Sequence, residues 1–289
     1  MVPSMSAPAV TRFAPSPSGY LHLGHAYAAL FAQGASAGGR FLLRIEDIDT
    51  TRCRPEFDAA LQEDLAWLGV MWTGPVLRQS ERSEAYAAAV RTLSRLGVLY
   101  PCFCTRAEIR AEIARSPSAP HGPEGALYPG TCRTLTGTER AARVAAGEQH
   151  ALRLDVAAAL EAVRPHGPLV WRDRAAGPVA CTPEMLGDVV LARKGLGVSY
   201  HLAVTVDDAF QGVTLVTRGV DLFHATHVHR LLQAALGLPV PEYHHHRLIT
   251  GPDGNRLATR DGAAALRTLR ADGWTPVDIR ARIGWPEAG

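Results

Sequence analysis

The sequence predicts an α/β fold built around a parallel sheet. A short strand, a turn rich in glycine and proline, and an alanine-rich helix follow one another near the N-terminus, which is the pattern of a βα unit. A second buried strand comes directly after them, and β-type patterns return in the second half of the chain. With 289 residues, the chain can form one large or two modest domains around a sizeable core.

The first third of the chain supplies these elements in order. Residues 11–14 form the first strand candidate, and the turn PSPSG leads into a helix over about 23–37 that two glycines end. Residues 40–45 are typical of a buried strand and run into the acidic segment EDID. Further helices are predicted over 55–69, opened by a proline, and over about 81–96. Strand and helix thus alternate, as an α/β sheet requires.

The character of the sequence changes at residue 100, where we expect an inserted subdomain. The segment PCFC leads into Thr105 and Glu108, which match a capping box at the start of a short helix. The stretch SPSAPHGPEGALYPGTC that follows is too rich in proline and glycine for regular structure.

The second half of the chain is expected to complete the sheet. Strand-like pieces occur at 151–155 and 169–172, and the segment 189–206 resumes the β pattern, so we expect the parallel sheet to be completed there. A helix over 222–236 and a last strand at 245–249 precede the turn GPDGNRLATRDG and a terminal helical stretch.

Composition and charge exclude several classes of protein. Hydrophobic residues make up 47% and charged residues 20%, and no apolar run reaches the roughly 18 to 20 residues of a membrane span. The N-terminus has neither a basic segment nor a long apolar one, so we expect no secretory signal, no membrane partner and a cytoplasmic location. The net charge of +2 means that a nucleic acid would have to be held by local basic patches.

The cysteines and lysines are unusual in number. The odd count of five unevenly spaced cysteines does not fit a disulfide framework, and a metal site is the better use for the three that cluster. Lys194 is the only lysine, so arginine must take the place of lysine in any motif that uses it.

His22, Gly24 and His25 form a HxGH motif at the start of the first helix. The helix dipole and backbone N–H groups favour phosphate there, and the two imidazoles can donate hydrogen bonds to its oxygens. Gly24 would let an adenine ring approach the backbone. Taken alone, the motif is equally compatible with two surface histidines.

Other motifs resolve that ambiguity. In order and spacing, RFAPSPSG, the histidines, RIEDID, SYHLAVTVDD, VTRGVD and GNRLATR resemble the class I glutamyl-tRNA synthetases over most of the chain. The spelling RFAPSPSG favours the glutamate over the glutamine enzymes. Only 29 residues follow Arg260, so we expect no anticodon-binding domain. A Rossmann-like catalytic core alone is similar to the glutamyl-Q tRNA(Asp) synthetase family.

The resemblance implies a pocket for L-glutamate. Two carboxylates and an ammonium require two cationic groups and one anionic group. By analogy, Arg12 and Ser16 hold the amino-acid head, Glu46 binds the ammonium, and Arg218 with the phenol of Tyr200 binds the side-chain carboxylate.

The resemblance also implies ATP with Mg²⁺. The glutamate α-carboxylate attacks the α-phosphorus in line, with His22, Gly24, His25 and a mobile basic loop around the nucleotide. The loop signature of the family has two lysines. Here Arg256 takes the first position and Thr259 the second, and Arg260 is expected to swing in for the missing lysine. The alternative is an ordinary solvated turn.

A structural zinc site is implied for Cys102, Cys104, Tyr128 and Cys132, which match the Cys-x-Cys and Tyr-x₃-Cys ligands of the glutamyl-Q family. Three thiolates and a phenolate make a closed tetrahedral site, one per chain. The alternative is three buried free cysteines.

Other polar residues are assigned no role at the site. We expect Asp47 and Asp49 to cap or pair locally, and Cys53 and Cys181 to be ordinary residues. His244 to His246 alternate faces on a strand, and His224, His227 and His229 do not share one helix face, so core or surface histidines are expected in both groups.

The resemblance to the glutamyl-Q family implies a ligase that activates glutamate without tRNA and attaches it to queuosine in the anticodon of tRNA(Asp). We expect it to be cytoplasmic and monomeric. The alternatives are a truncated glutamyl-tRNA synthetase that charges a 3′ end and a non-catalytic tRNA-binding paralogue. The predicted division is 1–99 and 187–249 for the two catalytic halves, 100–186 for the zinc-containing insertion, and 250–289 for the activation loop and terminal helical segment.

Overall fold

The computed structural model describes residues 8–115, 121–123, 125–193, 197–250 and 264–285. Among these residues, no helix is long and apolar enough to cross a membrane. The strands are β1 (Val10–Phe13), β2 (Arg40–Ile45), β3 (Leu77–Arg78), β4 (Leu99–Cys102), β5 (His121–Gly122), β6 (Gly125–Ala126), β7 (Ala151–Leu154), β8 (Val170–Asp173), β9 (Gly177–Ala180), β10 (Val190–Arg193), β11 (Gly197–Val198), β12 (Leu215–Gly219) and β13 (Glu242–His246).

The α-helices lie between many of these strands, although β8 to β11 follow one another without an α-helix. They are α1 (Leu23–Ala35), α2 (Pro55–Trp67), α3 (Ser83–Arg95), α4 (Arg106–Arg115), α5 (Gly137–Ala145), α6 (Val156–Val163), α7 (Tyr200–Phe210), α8 (Ala225–Leu236), α9 (Leu266–Ala271) and α10 (Pro276–Arg282). The predicted capping box is present at α4, where the Thr105 N–H donates to Glu108 Oε2 at 2.6 Å and the Glu108 N–H donates to Thr105 Oγ1 at 3.2 Å.

Two parallel sheets meet at the centre of the molecule. β1, β2 and β3 form one of them, and β12, β13 and β8 form the other, with β9 antiparallel at its edge. The sheets adjoin because the Thr214 N–H donates to the Val10 carbonyl at 3.0 Å and the Val10 N–H donates to Thr214 Oγ1 at 2.9 Å. The strand order is therefore β3, β2, β1, β12, β13, β8, β9. From β1 the chain continues to β2 and β3 on one side, whereas β12 and β13 lie on the other side, so the order in which strands are added changes direction between β1 and β12. Ligands of such sheets bind at the carboxyl ends of the strands next to this reversal.

A separate antiparallel sheet is made of β11, β10, β7 and β4. This arrangement corrects the expectation that residues 189–206 complete the parallel sheet: β10 and β11 pair away from it, and Tyr200–Phe210 is a helix. Four successive side chains of that helix, Leu202 to Thr205, are buried. Burial on all sides removes the one-sided pattern by which a helix is recognised in a sequence.

The predicted domain ranges do not coincide with the sheets. β8 and β9 fall within the range 100–186 assigned to the insertion, yet β8 pairs with β13 at Tyr243 and Asp173. β10 and β11 fall within the range 187–249, yet β10 pairs with β7. The chain therefore passes between the parallel and the antiparallel sheet more often than a division into four ranges describes.

The hydrophobic core has two main parts. One lies between α1, the first parallel strands and α2, and includes Leu266 and Ile279 from the last two helices. The other packs α3, α6, α7 and α8 together and includes Leu154 and Leu191 of the antiparallel sheet. These contacts fix the strand ends that carry the site.

Candidate functional site

Three of the residues predicted to bind the substrate glutamate lie at the carboxyl ends of neighbouring parallel strands. Arg12 is the third residue of β1, Arg218 is the fourth residue of β12, and Glu46 directly follows β2. The strands bring them together because β1 has β2 on one side and β12 on the other. This is the position at which open α/β sheets bind ligands.

Two buried arginines share one carboxylate at this edge. Asp208 Oδ1 accepts hydrogen bonds from Arg12 Nε at 2.9 Å and from Arg44 Nη1 at 2.8 Å. Arg44 also pairs with Glu46 at 3.3 Å, and Arg12 donates to the Thr217 carbonyl at 3.0 Å. Burial alone would raise the pKa of Asp208, but the two guanidinium groups hold it below its ordinary value.

Arg218 has a different environment. It is 6% exposed and donates to His229 Nδ1 at 3.0 Å, His245 Nε2 at 3.1 Å, Tyr200 Oη at 3.4 Å and the Thr226 hydroxyl. Within the part of the chain that the structure describes, no Asp or Glu oxygen lies within 4.0 Å of its guanidinium group. Arg218 is therefore a buried cation held by neutral groups.

We refer to Arg12, Arg44, Arg218, Glu46 and Asp208 as the arginine cluster. Tyr200 connects its two halves: burial raises the pKa of its phenol, and the charges of Arg218, Glu46 and Arg12 act on the same group. Three guanidinium groups meet two carboxylates in the cluster, and burial raises the pKa of one of them, Glu46, so positive charge is in excess. A bound anion would balance that charge.

A cavity of about 1630 Å³ opens beside the arginine cluster. Ser16, Glu46, Tyr200 and His201 line it, and it continues to Tyr128 of the cysteine group. Arg12 and Arg218 do not line the cavity themselves. Tyr200 lines the cavity, and its phenol accepts a hydrogen bond from Arg218. The phenol therefore connects that arginine to the cavity wall.

His22 and His25 lie at the start of α1, as predicted. His22 is the N-cap residue, and its Nδ1 accepts from the Gly24 N–H at 3.1 Å. The His25 Nδ1 accepts from the His22 N–H at 3.3 Å, and the ring centroids are 3.9 Å apart. Both neutral rings therefore carry their proton on Nε2. The cap uses the Gly24 N–H, so this N–H is one of the backbone donors at the helix start that already has a partner.

The proposed activation-loop residues Arg256, Thr259 and Arg260 lie outside the described residues. The first strand-like contact after that segment is at Ala265, which forms an antiparallel bridge with His22. The next residue, Leu266, donates its N–H to the Leu21 carbonyl at 2.7 Å. The chain that follows the loop is thus fixed beside the HxGH motif.

The structure brings the four predicted zinc ligands together. The Sγ atoms of Cys102, Cys104 and Cys132 all lie within 4.8 Å of one another. The phenol oxygen of Tyr128 is 3.4 Å from Cys102 Sγ and 3.6 Å from Cys104 Sγ. A tetrahedral zinc with bonds near 2.3 Å separates its sulfur ligands by roughly 3.8 Å. These four side chains therefore fit a metal ion of that size.

Local hydrogen bonds favour the ionised form at Cys132, whereas burial and the hydrogen bonds to the cysteines raise the pKa of the Tyr128 phenol. Burial opposes a thiolate at Cys132, but the Phe103 N–H and the Tyr128 phenol hold its pKa below the ordinary value. The Tyr128 oxygen in turn accepts from the Cys132 N–H at 2.9 Å, and the guanidinium carbon of Arg153 lies 3.7 Å from the centre of the Tyr128 ring. Burial raises the pKa of Cys104 to about 12, so that thiol depends on a metal ion to ionise.

The aspartates and cysteines assigned no role at the site have other partners. Asp49 accepts from Arg52 Nε at 2.7 Å, a local pair as expected, whereas Asp47 accepts from the Ser80 N–H at 2.8 Å, 33 residues further along the chain. Cys53 Sγ donates to the Glu46 carbonyl at 3.8 Å, and Cys181 Sγ donates to the His227 carbonyl at 3.2 Å; neither belongs to the metal-sized group.

The sequence analysis missed four residues at the arginine cluster. Arg44 and Asp208 are part of it, and His229 and His245, expected to be ordinary core or surface histidines, contact Arg218. A charged side chain in the buried strand RFLLRI was a usable signal for Arg44. The two histidines gave no such signal, because their contacts with Arg218 are formed only by the folded chain.

The comparisons with known proteins agree with this geometry. The catalytic domain family of class I tRNA synthetases (E and Q) matches residues 8–288. A glutamyl-Q tRNA(Asp) synthetase from Rhodobacter capsulatus is 50% identical over 284 residues, which cover 95% of this chain and 99% of that protein. A second protein of that name, from Symbiobacterium thermophilum, is 46% identical over 95% of this chain and 85% of its own length.

A solved structure supports the same assignment. The crystal structure of a glutamate tRNA ligase from Elizabethkingia meningosepticum in complex with its amino acid superimposes with a TM-score of 0.70 at 31% identity. The match covers 88% of this chain and 52% of that one. The chain belongs to the catalytic domain family of class I tRNA synthetases (E and Q) and, within it, to the glutamyl-Q tRNA(Asp) synthetases.

Proposed function

We propose that this chain activates L-glutamate with ATP in the absence of tRNA and transfers the glutamyl group to the queuosine base in the anticodon of tRNA(Asp). The relatives with 50% and 46% identity carry the name of that activity, so a truncated synthetase and a non-catalytic paralogue are not favoured. The observation that carries the choice of substrate is the excess positive charge of the arginine cluster. Free glutamate, with two carboxylates and one ammonium, has the complementary net charge.

The side-chain carboxylate of glutamate would bind next to Arg218 and Tyr200. A buried guanidinium group surrounded by neutral side chains attracts a carboxylate strongly because no resident anion competes for it. Four of its five N–H groups have partners in the described part of the chain. The fifth N–H, on Nη2, and the Nη1–H that makes the long hydrogen bond to Tyr200 would donate to the substrate carboxylate.

The amino-acid head would bind at the other half of the cluster. Arg12 uses three of its five N–H groups on Asp208 and Thr217, which leaves two for the α-carboxylate beside Ser16. Glu46 would bind the ammonium group. Asp208 orients Arg12 in this arrangement through two hydrogen bonds.

Adenylate formation needs positioning and neutralisation of charge. The α-carboxylate attacks the α-phosphorus and pyrophosphate leaves. His22 and His25 would donate their Nε2–H groups to phosphate oxygens at the positive end of α1, whose first turn has no acidic residue. Gly24 and Thr259 would contact the nucleotide, and Arg256 and Arg260 would neutralise the developing charge. Mg²⁺, bound with ATP, would screen the phosphates.

We assign a structural zinc to the four ligands Cys102, Cys104, Tyr128 and Cys132. The ion would join β4 to the segment around Cys132, and its positive charge would stabilise the thiolate forms of the cysteines. Since Tyr128 also lines the cavity, the metal would shape that part of the cavity wall. The active form is taken to be a cytoplasmic monomer.

Glutamate-dependent exchange of labelled pyrophosphate into ATP, measured without tRNA, tests the activation step. We expect exchange with L-glutamate and much less with L-glutamine. Exchange that requires added tRNA would contradict the proposal.

A further inference from the structure

A buried carboxylate lies behind Arg218, separated from it by one imidazole ring. Asp173, at the end of β8, is 1% exposed, and its Oδ2 lies 2.7 Å from His245 Nδ1. The opposite nitrogen of that ring, Nε2, lies 3.1 Å from Arg218 Nε. Asp173, His245 and Arg218 thus form a continuous line of hydrogen bonds across β8, β13 and β12.

The proton positions along this line are determined by chemistry. Arginine is always a donor, so His245 Nε2 must accept from Arg218. The ring proton therefore lies on Nδ1 and is donated to Asp173. Burial and the nearby Arg218 charge lower the pKa of His245 to about 4, so the ring is neutral at pH 7.

A second line of histidines holds the other side of the same guanidinium group. His229 Nδ1 accepts from Arg218 Nη1 at 3.0 Å, so the His229 proton lies on Nε2, which faces His201 Nδ1 at 3.2 Å. His201 lines the cavity. Burial and Arg218 lower the pKa of His201 to about 4, so this line is neutral as well.

We propose that Asp173 is a positioning residue for the choice of glutamate: through neutral His245 it fixes the orientation of Arg218 and leaves the charge of Arg218 without a direct partner. This inference rests on the proposed function of Arg218.

The physical reason is a balance between orientation and charge. A carboxylate in direct contact with Arg218 would orient it, but would also neutralise the charge that attracts a substrate carboxylate. Glutamine, whose amide is neutral, would then bind nearly as well. With an imidazole in between, the guanidinium group is held in place while its charge remains available to the substrate.

Asp173→Asn tests the inference with little change in shape. Oδ1 can still accept from the N–H groups of Ala175 and Ala176, at 2.8 and 2.9 Å. An NH₂ group at the Oδ2 position would lose the hydrogen bond that Oδ2 accepts from the His245 backbone N–H at 3.1 Å. It would donate to His245 Nδ1 and move the ring proton to Nε2, where it opposes the Arg218 N–H. We expect kcat/KM for glutamate in pyrophosphate exchange to fall on the order of tenfold to a hundredfold, mostly through KM, and glutamine to be affected much less.

Asp207→Asn is the matched control. Asp207 is also fully buried and accepts from Gln79, Arg82 and Tyr86, but Arg218 is not among its partners. This variant should keep the glutamate to glutamine ratio of the wild type. Equal losses for both amino acids in Asp173→Asn would overturn the inference, because general destabilisation does not discriminate between them.

The double variant Asp173→Asn with Arg218→Gln provides a further comparison. If Asp173 acts through Arg218, the double variant has the same ratio as Arg218→Gln alone. A further drop in the ratio would show that Asp173 acts by another route. Absence of glutamate-dependent exchange in the wild type would refute the proposed function instead, so the two failures are distinguishable.

The wild-type protein gives an independent answer if the variants do not fold. Long-range ¹H–¹⁵N correlation spectra report which ring nitrogen of each histidine is protonated, and the spectrum of His245→Gln would identify the signals of His245. We expect the proton on Nδ1. A proton on Nε2 would overturn the inference.

Discussion

Replacing Arg218 by glutamine should change which amino acid is activated. Arg218 is 6% exposed and is held by neutral groups, so the substrate carboxylate would be its only direct counter-charge in the described structure. Removal of one member of a desolvated, hydrogen-bonded charge pair costs about 2 to 5 kcal/mol. At about 1.4 kcal/mol per tenfold change, kcat/KM for glutamate should fall roughly thirtyfold to several thousandfold.

Glutamine should lose much less in the same variant because its amide forms no charge pair. The assay is pyrophosphate exchange with each amino acid over a range of concentrations, which gives two values of kcat/KM per variant. Arg82→Gln is a suitable control: it removes a largely buried arginine whose partner is Asp207 at 2.6 Å, outside the arginine cluster. Equal losses for glutamate and glutamine in Arg218→Gln would refute the assignment of this arginine to the side-chain carboxylate.

Three further predictions follow from the other parts of the site. Protein produced with zinc available should contain one zinc per chain, and Cys132→Ser should lose it and loosen the antiparallel sheet before glutamate activation disappears; a metal analysis without zinc would contradict the assignment. Because Asp208 has a lowered pKa, its contribution to stability is complete above about pH 4 and is lost as the pH falls through its folded-state value. The free energy of unfolding in urea, measured from about pH 5 down to about pH 2, should therefore fall more steeply with decreasing pH for the wild type than for Asp208→Asn, and parallel curves would speak against the ion pairs. Arg256→Ala and Arg260→Ala should each slow adenylate formation in a single-turnover assay, whereas an unchanged rate for Arg260→Ala would show that it does not replace the missing lysine.

Local patterns in the sequence were sufficient for β1, β2 and β8 of the parallel strands. β3 and β12 were not predicted, and the last strand, expected at 245–249, lies at Glu242–His246. The strand β2 and the helix α2 have the predicted type and nearly the predicted bounds, because a buried strand and a proline-opened helix leave signals within a few residues. The four ligands of the metal-sized group were implied by the resemblance to the glutamyl-Q family, and the structure places these side chains together.

The segment 189–206 shows where local reasoning fails. Its valines and its tyrosine favour a strand, yet Tyr200–Phe210 is helical and is buried between α3 and α8. Tertiary burial overrode the β propensity of these residues. A sequence pattern does not report a helix whose apolar side chains point in several directions.

The shell around Arg218 was beyond sequence reasoning for a different reason. Asp173 and His245 are 72 residues apart in the chain, and His229 reaches Arg218 from a helix that follows β12. Each residue taken alone resembles an ordinary core residue. Only the pairing of β8, β13 and β12 gives them a common function.

Transfer of labelled glutamate to tRNA(Asp) tests the central claim most directly. The wild-type protein, glutamate and ATP would be incubated with two samples of tRNA(Asp), one containing queuosine and one with guanine in its place. The proposed function predicts that label is attached only to the queuosine-containing tRNA, and that it remains when the 3′-terminal adenosine is removed. Label on the 3′ end of either sample, or transfer independent of queuosine, would contradict it.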